Sequence, residues 1–174
     1  MIIKECKNFL SNNSKLNINS IIADPHFPYY MSSSHQNNLE YPYLSHIVLK
    51  RPEERNHKDF NSPYANLFLN ILKEFENKNN IKVNQLLRIA VNLTFNFGKK
   101  NSFTHKDHDF DHKQLIIYLN DCDKNAKTVI LNNDKKIIKK ITPEKFKGLL
   151  FDSCYHYMIY PKKGYRVIAV YTFT

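Results

Sequence analysis

The segment from His105 to His112 concentrates side chains that could do chemistry. It holds three histidines and three aspartates in eight residues. Charged and polar groups packed this closely are stable inside a folded protein when a cation lies among them. His105 and Asp107 are two residues apart, so both side chains project to the same face of an extended segment. The spacing therefore predicts a metal site to which this pair contributes two ligands.

Later in the chain, two more residues could complete such a site. His156 ends the run Leu149–His156, and Arg166 follows ten residues later inside another strand-like run. Two imidazoles and one carboxylate can occupy one face of an octahedral Fe(II) and leave the opposite face open. The guanidinium of Arg166 has the planar shape that binds both oxygens of a carboxylate.

The order His105-Lys106-Asp107, then His156, then Arg166 resembles the signature of the Fe(II)/2-oxoglutarate-dependent oxygenases. The run Leu115-Ile116-Ile117-Tyr118-Leu119-Asn120 resembles a strand of the prolyl-4-hydroxylase-like members, in which the tyrosine binds the far carboxylate of 2-oxoglutarate. Segments 28–30, 44–46 and 88–93 look like the small stand-alone members that are common in tailed phages and marine bacteria.

The resemblance implies a function and a set of site residues. Fe(II) would be held by His105, Asp107 and His156, which would form the catalytic centre. The cosubstrate 2-oxoglutarate would be bound by Arg166, Tyr118 and Asn92. With O2, such an enzyme hydroxylates its substrate and converts 2-oxoglutarate to succinate and CO2. The substrate would be a small molecule or a peptidyl group, which the sequence does not identify.

Two other functions stay open at this point. His108 and His112 have the i, i+4 spacing of a zinc-binding pair on a helix, which would suit a zinc-dependent hydrolase. However, the segment between them lacks the glutamate of His-Glu-x-x-His, and it has the composition of a loop before a strand. A catalytically silent β-helix that serves as a binding module is the other alternative. We expect His108 to be exposed and His112 to lie beside the site or to be purely structural.

The composition favours a folded protein in a reducing compartment. Hydrophobic residues make up 42% of the 174 residues and aromatic residues 13%, which argues against disorder. No apolar run reaches the length of a membrane span, and residues 1–8 lack the apolar core of a signal peptide. The three cysteines form no Cys-x-x-Cys pair and cannot all be in disulfides. We therefore expect a cytoplasmic location.

The net charge of +10 is concentrated in the second half of the chain. Residues 88–174 carry 16 Lys and Arg against 8 Asp and Glu, whereas residues 1–87 carry 10 against 8. Positive charge around a site attracts acidic substrates or nucleic acid. Nucleic-acid binding is weakly supported, because the sequence has no recognisable nucleic-acid-binding motif and the lysines at 135–140 could form a solvated face.

The pattern of apolar residues predicts a mainly β fold with N-terminal helical support, an α+β chain with a double-stranded β-helix (a cupin-like jelly roll). A helix is expected after the N-cap Ser62 and Pro63, with an apolar stripe that includes Phe68 and Phe75. Residues 31–40 read as a loop and 41–49 as an edge strand. Further strands are expected at 87–95, 115–120, 128–131, 135–142, 148–151, 154–160 and 165–173. We expect a single domain, 1–174, with residues 1–84 supporting a β-helix core at 85–174.

Overall fold

Antiparallel strands form most of the protein. A computed structural model describes residues 2–35, 38–55 and 60–174. The helices in these ranges are α1 (Asn12–Ala23) and α2 (Ala65–Asn79), with a short 3-10 helix at Pro52–Glu54. The strands are β1 (Ile3–Cys6), β2 (Tyr30–His35), β3 (Asn38–Leu49), β4 (Leu86–Phe95), β5 (Lys113–Tyr118), β6 (Thr128–Leu131), β7 (Ile137–Ile141), β8 (Gly148–Asp152), β9 (His156–Met158) and β10 (Tyr165–Phe173).

The strands form two facing sheets. The larger sheet has seven strands in the order β1-β8-β5-β10-β4-β3-β2, and the smaller has the order β7-β6-β9. Isolated antiparallel bridges, Asn101 to Ile159 and His105 to His156, add the segment 101–105 beside β9. From β4 to β10 the chain therefore passes back and forth between the sheets. This arrangement is a double-stranded β-helix, which confirms the predicted fold class.

The outer face of the large sheet packs against the helices. Helix α2 contributes its predicted apolar stripe, in which Phe68, Ile71, Leu72 and Phe75 are all buried. The helix ends where Asn80 adopts a left-handed backbone conformation with φ of 58°. The buried side chains of α2 lie in one cluster with outward-facing residues of β5 and β10, including Leu115 and Tyr171. The helical layer therefore holds the sheet from the side away from the site.

The inner face of the large sheet carries most of the polar residues of interest. Residues directly opposite one another in antiparallel strands lie on the same face. The three paired rows that matter here are Arg166–Thr94, Tyr118–Ile168–Asn92 and Gln114–Thr172–Arg88. Ile168 and Tyr118 pack in one buried cluster with Ile130 of the small sheet, so these rows face the space between the sheets.

Some predicted elements need correction. Strand β1 and helix α1 were not predicted, because residues 1–20 are polar and α1 buries only Ser14 and Ile18 among the described side chains. The predicted loop at 31–40 contains strand residues of β2 and β3, apart from positions 36 and 37, which lie outside the described residues. Strand β3 is also not the edge strand, since β2 pairs along it.

The start of α2 differs from the prediction by a few residues. The helix begins at Ala65, with Tyr64 rather than Ser62 in the N-cap position. The hydroxyl of Ser62 instead accepts a hydrogen bond from the backbone N–H of Tyr64, at 3.0 Å, and lies 2.7 Å from Nε2 of His46. Ser62 therefore stabilises the turn before the helix.

Among the described residues, Cys6 and Cys122 are free thiols. None of the described helices has the length and apolar character needed to span a membrane.

Candidate active site

His105 and His156 are neighbours because their backbones pair. The N–H of His105 donates to the carbonyl of His156 at 3.1 Å, and the N–H of His156 donates back at 2.9 Å. This reciprocal pair places both side chains on one side of the two segments, with ring centroids 4.5 Å apart. Asp107, two residues after His105, joins them on that side. The structure thus brings together the three residues that the sequence singled out as ligands.

Backbone carbonyls fix the protonation of both imidazoles. Nδ1 of His105 lies 3.1 Å from the carbonyl oxygen of Phe103, and Nδ1 of His156 lies 3.1 Å from that of Cys154. A carbonyl oxygen only accepts hydrogen bonds, so Nδ1 of each ring is the donor, and the neutral tautomer of each ring has its lone pair on Nε2. Burial, reinforced by His105, lowers the pKa of His156 to about 4, which keeps this imidazole neutral at neutral pH.

The carboxylate of Asp107 is buried and held by two guanidinium groups. Its Oδ1 accepts from Nη2 of Arg51 at 2.9 Å and from Nη1 of Arg88 at 3.4 Å. Burial by itself would raise the pKa of Asp107. The neighbouring His156, His105 and the two arginines outweigh burial and hold this pKa well below its ordinary value. The other oxygen, Oδ2, faces Nε2 of His156 at 3.6 Å.

These three side chains fit a divalent transition metal. One donor atom from each lies within 4.8 Å of the others, and no other group of three or more such residues is found in the described part of the chain. Neutral imidazoles with a free Nε2 and an ionised carboxylate are the forms in which His and Asp bind metals. Two nitrogens and one oxygen are the donor set typical of non-haem Fe(II) sites.

Arg166 lies further along the same inter-sheet space. Its side chain is buried, with Nη2 donating to the Thr128 hydroxyl at 2.8 Å and Nη1 directed at the Met158 sulfur at 3.0 Å. The hydroxyl of Tyr118 also lies 2.8 Å from Thr128 Oγ1. Nε of Arg166 has no hydrogen-bond partner, and no carboxylate among the described residues forms an ion pair with this guanidinium. A buried cation of this kind is an anion-binding group.

Strand β9 connects the metal triad with the surroundings of Arg166. His156 and Met158 are two residues apart on this strand, so they share a face and are separated by roughly 7 Å. Both side chains are buried, and Met158 contacts Arg166 directly. His156 of the triad and Met158, which contacts Arg166, are therefore neighbours on one face of β9.

Asn92 lies on the same inner face, but its hydrogen bond is to a residue of the neighbouring strand β3. It sits opposite Ile168 of β10 and Ser45 of β3. Its Oδ1 accepts a hydrogen bond from the hydroxyl of Ser45 at 2.7 Å. A role for Asn92 in cosubstrate binding stays a prediction.

Comparison with known proteins identifies the fold. The sequence matches no known family profile and no curated protein. By structure, the chain is similar to an oxidoreductase of the 2OG-Fe(II) oxygenase family from Burkholderia pseudomallei, with a TM-score of 0.76, 13% identity, and coverage of 99% of this chain and 84% of the other. The chain has the fold of the 2OG-Fe(II) oxygenases.

Two prolyl hydroxylases have the same fold. A prolyl hydroxylase from Trichoplax adhaerens, in complex with a hypoxia inducible factor peptide fragment, gives a TM-score of 0.64 at 17% identity over 98% of this chain and 83% of that one. A prolyl-4-hydroxylase from Pseudomonas putida gives a TM-score of 0.64 at 12% identity over 98% of this chain and 91% of that one. Sequence identities this low establish the shared fold, whereas the activity depends on the residues of the site.

Several histidine predictions need revision within this oxygenase fold. His108 was expected to be exposed, but both it and His112 are buried at 5% exposure, with ring centroids 4.8 Å apart. They lie in the irregular segment before β5 rather than on a helix, and neither belongs to the three-residue metal group. His46 is buried, with Nδ1 2.8 Å from the Pro28 carbonyl oxygen, and His26 is exposed; neither belongs to the metal group.

Three further polar residues at the site were not predicted from the sequence. Arg51, Arg88 and Gln114 all approach the triad, and the Gln114 amide nitrogen lies 3.4 Å from Nε2 of His156. Arg88 and Gln114 could have been noticed as polar residues at inner-face positions of otherwise apolar strands. Arg51 has no such pattern, because it lies in the connection after β3.

Proposed function

We propose that the chain is an Fe(II)- and 2-oxoglutarate-dependent dioxygenase that hydroxylates a small-molecule or peptidyl substrate. One observation carries the proposal: two imidazoles and a carboxylate share an inter-sheet space with a buried guanidinium that forms no ion pair with any carboxylate of the described residues. The oxygenase fold supports this assignment. The peptide held by the Trichoplax prolyl hydroxylase is one reason to keep peptidyl substrates in view.

Each residue has a defined task in this proposal. Fe(II), bound by His105, Asp107 and His156, would supply O2 activation and the oxidation coupled to conversion of 2-oxoglutarate to succinate and CO2. Arg166, with Tyr118 beside it, would bind the far carboxylate of 2-oxoglutarate through charge-assisted hydrogen bonds.

The protein groups around the metal ligands would fix their geometry. The carbonyls of Phe103 and Cys154 orient the two imidazole rings with Nε2 free. Arg51 and Arg88 contact Oδ1 of Asp107, so Oδ2, which faces His156, would be available as a ligand. Apolar side chains such as Ile168 are buried between the sheets and would limit the access of water to the site.

The proposal is tested by metal analysis of protein purified without oxygen, followed by succinate release from 2-oxoglutarate in the presence of pooled amino acids, peptides, nucleosides and metabolites. We expect bound iron and succinate release that requires Fe(II) and O2. A protein that binds iron but releases no succinate with any pool would be the silent binding module. Hydrolytic activity that persists with zinc and without O2 would contradict the proposal.

A further inference from the structure

Two arginines converge on one carboxylate oxygen at the metal end of the site. Arg51 comes from the connection after β3, and Arg88 comes from the inner face of β4. Their guanidinium nitrogens lie 2.9 Å and 3.4 Å from Oδ1 of Asp107. Within the ranges that the structure describes, Asp107 is the carboxylate that forms an ion pair with either of them.

The charges at this end do not balance. Two guanidinium groups contact the single negative charge of Asp107, and a divalent metal held by Asp107 would add two more positive charges. The carboxylate of Glu53 is close enough to act on His108, but it is exposed and forms no ion pair with either arginine among the described residues. Of the two carboxylates of 2-oxoglutarate, only the one next to the oxo group would lie at the metal, because Arg166 would bind the other. The metal end would therefore keep an excess positive charge in a largely buried setting, where an unbalanced charge is costly.

The two arginines differ in how accessible they are. The side chain of Arg88 is 8% exposed and is fixed by its position opposite Thr172 in the sheet. The side chain of Arg51 is 21% exposed and lies just before the short 3-10 helix. A guanidinium has five N–H donors, and the recorded contact of Arg51 with Asp107 uses one of its nitrogens. Arg51 can therefore contact both Asp107 and a molecule that arrives from solvent.

We propose that Arg51, supported by the fixed charge of Arg88, binds an anionic group of the substrate beside the metal centre. This inference rests on the proposed function and narrows its substrate class to molecules that carry a carboxylate or a phosphate near the hydroxylated carbon. The excess of 8 positive charges in residues 88–174 would attract such a substrate to the site.

The experiment measures anion binding directly and does not depend on turnover. Isothermal titration calorimetry is performed with methylphosphonate and, separately, acetate, on protein saturated with Mn(II) and 2-oxoglutarate. Relaxation of the probe's 31P or 13C nuclei by Mn(II) then reports whether the bound anion lies near the metal. The variants are Arg51→Gln, Arg51→Lys and the matched control Lys50→Gln, since Lys50 is an exposed cation next in the chain. Mn(II) affinity is measured for each variant, so that a change at Asp107 is recognised.

We expect Arg51→Gln to weaken binding of at least one probe about tenfold or more, because a charge-assisted hydrogen bond is lost. Arg51→Lys should retain part of the affinity, and Lys50→Gln should bind as the wild type does. Tighter binding of methylphosphonate than of acetate would indicate a phosphate-bearing substrate, and the reverse order a carboxylate-bearing one.

Two results would distinguish failure of this inference from failure of the proposed dioxygenase function. The inference would be overturned if the protein binds Mn(II) and 2-oxoglutarate but binds neither anion. It would also be overturned if Arg51→Gln binds the anions as tightly as the wild type does. In either case Arg51 would serve only to hold Asp107. Anion binding that depends on Arg51 in a protein that binds neither Mn(II) nor 2-oxoglutarate would overturn the proposed function and leave an anion site.

Discussion

The two oxygens of Asp107 have different surroundings, and this difference is central at the residue scale. Oδ1 is occupied by guanidinium groups, while Oδ2 faces His156. A carboxylate held in this way can offer one oxygen to a metal without rotating. The residue also stays ionised, because the groups around it lower its pKa.

Asp107→Ala should abolish metal binding, because it removes the anionic ligand of the triad and takes the carboxylate away from the buried Arg88 and the half-buried Arg51. We expect Mn(II) affinity measured by calorimetry to fall by about a hundredfold or more, in line with the loss of a charged ligand. Asp109→Ala is the matched control, since Asp109 is exposed two residues away. Wild-type affinity in Asp107→Ala would rule this residue out as a ligand.

Arg166→Gln should separate cosubstrate binding from metal binding. The guanidinium is buried beside Thr128 and Tyr118, so its loss removes a charge-assisted contact with a carboxylate while the triad stays intact. We expect 2-oxoglutarate affinity to fall about tenfold to a hundredfold, with Mn(II) affinity unchanged. Lys163→Gln, at an exposed lysine nearby, serves as the control. Unchanged 2-oxoglutarate binding in Arg166→Gln would assign the buried cation another role.

That the side chains of His105 and Asp107 lie on the same side could be predicted, because residues two apart on an extended segment share a face. That His156 lies beside them could be predicted only through the family resemblance, because the backbone pairing of His105 with His156 joins segments that are far apart in the sequence. Arg51 could not be predicted, because it is brought to Asp107 by the path of an irregular connection. The burial of His108 was also missed, since its contact with Thr172 of β10 joins segments far apart in the chain.

At the element scale, the two faces of the large sheet differ, because one packs against the helices and the other borders the candidate site. Strand β4 presents Ile89 and Val91 to the helices, and it presents Arg88 and Asn92 to the site. This division was predictable, because alternation along a strand assigns residues to faces. Helix α1 was not predictable in the same way: its N-cap Ser11 also hydrogen-bonds Glu74 of α2, so tertiary contacts support a helix with a weak apolar pattern.

The helical layer should be required for stability rather than chemistry. Phe75 is fully buried, and its ring meets that of Phe9 edge-on at 5.4 Å. Phe75→Ala should lower the free energy of unfolding by about 3–5 kcal/mol, measured by urea denaturation. Leu16→Ala on α1 is the control, because Leu16 is 67% exposed and should change stability by less than about 0.5 kcal/mol. A small effect of Phe75→Ala would show that α2 does not support the sheet.

At the scale of the whole molecule, buried histidines link folding to pH. Burial lowers the pKa of His46 below its ordinary value, and it lowers the pKa values of His108 and His156 to about 4. The unfolded chain therefore binds more protons than the folded chain between the ordinary histidine pKa of about 6.5 and these lowered values.

The metal-free protein should consequently lose stability as the pH falls from about 6.5 to about 4, and it should regain that stability as the pH rises. Urea denaturation at a series of pH values measures the slope. His46→Gln, at a site remote from the triad, should make the slope shallower by removing one of these titrations. Stability that is constant across this pH range would contradict the burial of these imidazoles in their neutral form.

We infer that one Fe(II) site and one buried guanidinium act together in binding 2-oxoglutarate. The most direct measurement is an anaerobic titration of the protein with Fe(II) and 2-oxoglutarate, followed by visible absorption. We predict a charge-transfer band that requires both components and saturates at equal amounts of metal, 2-oxoglutarate and chain. The absence of that band in protein shown to contain Fe(II) would contradict the claim.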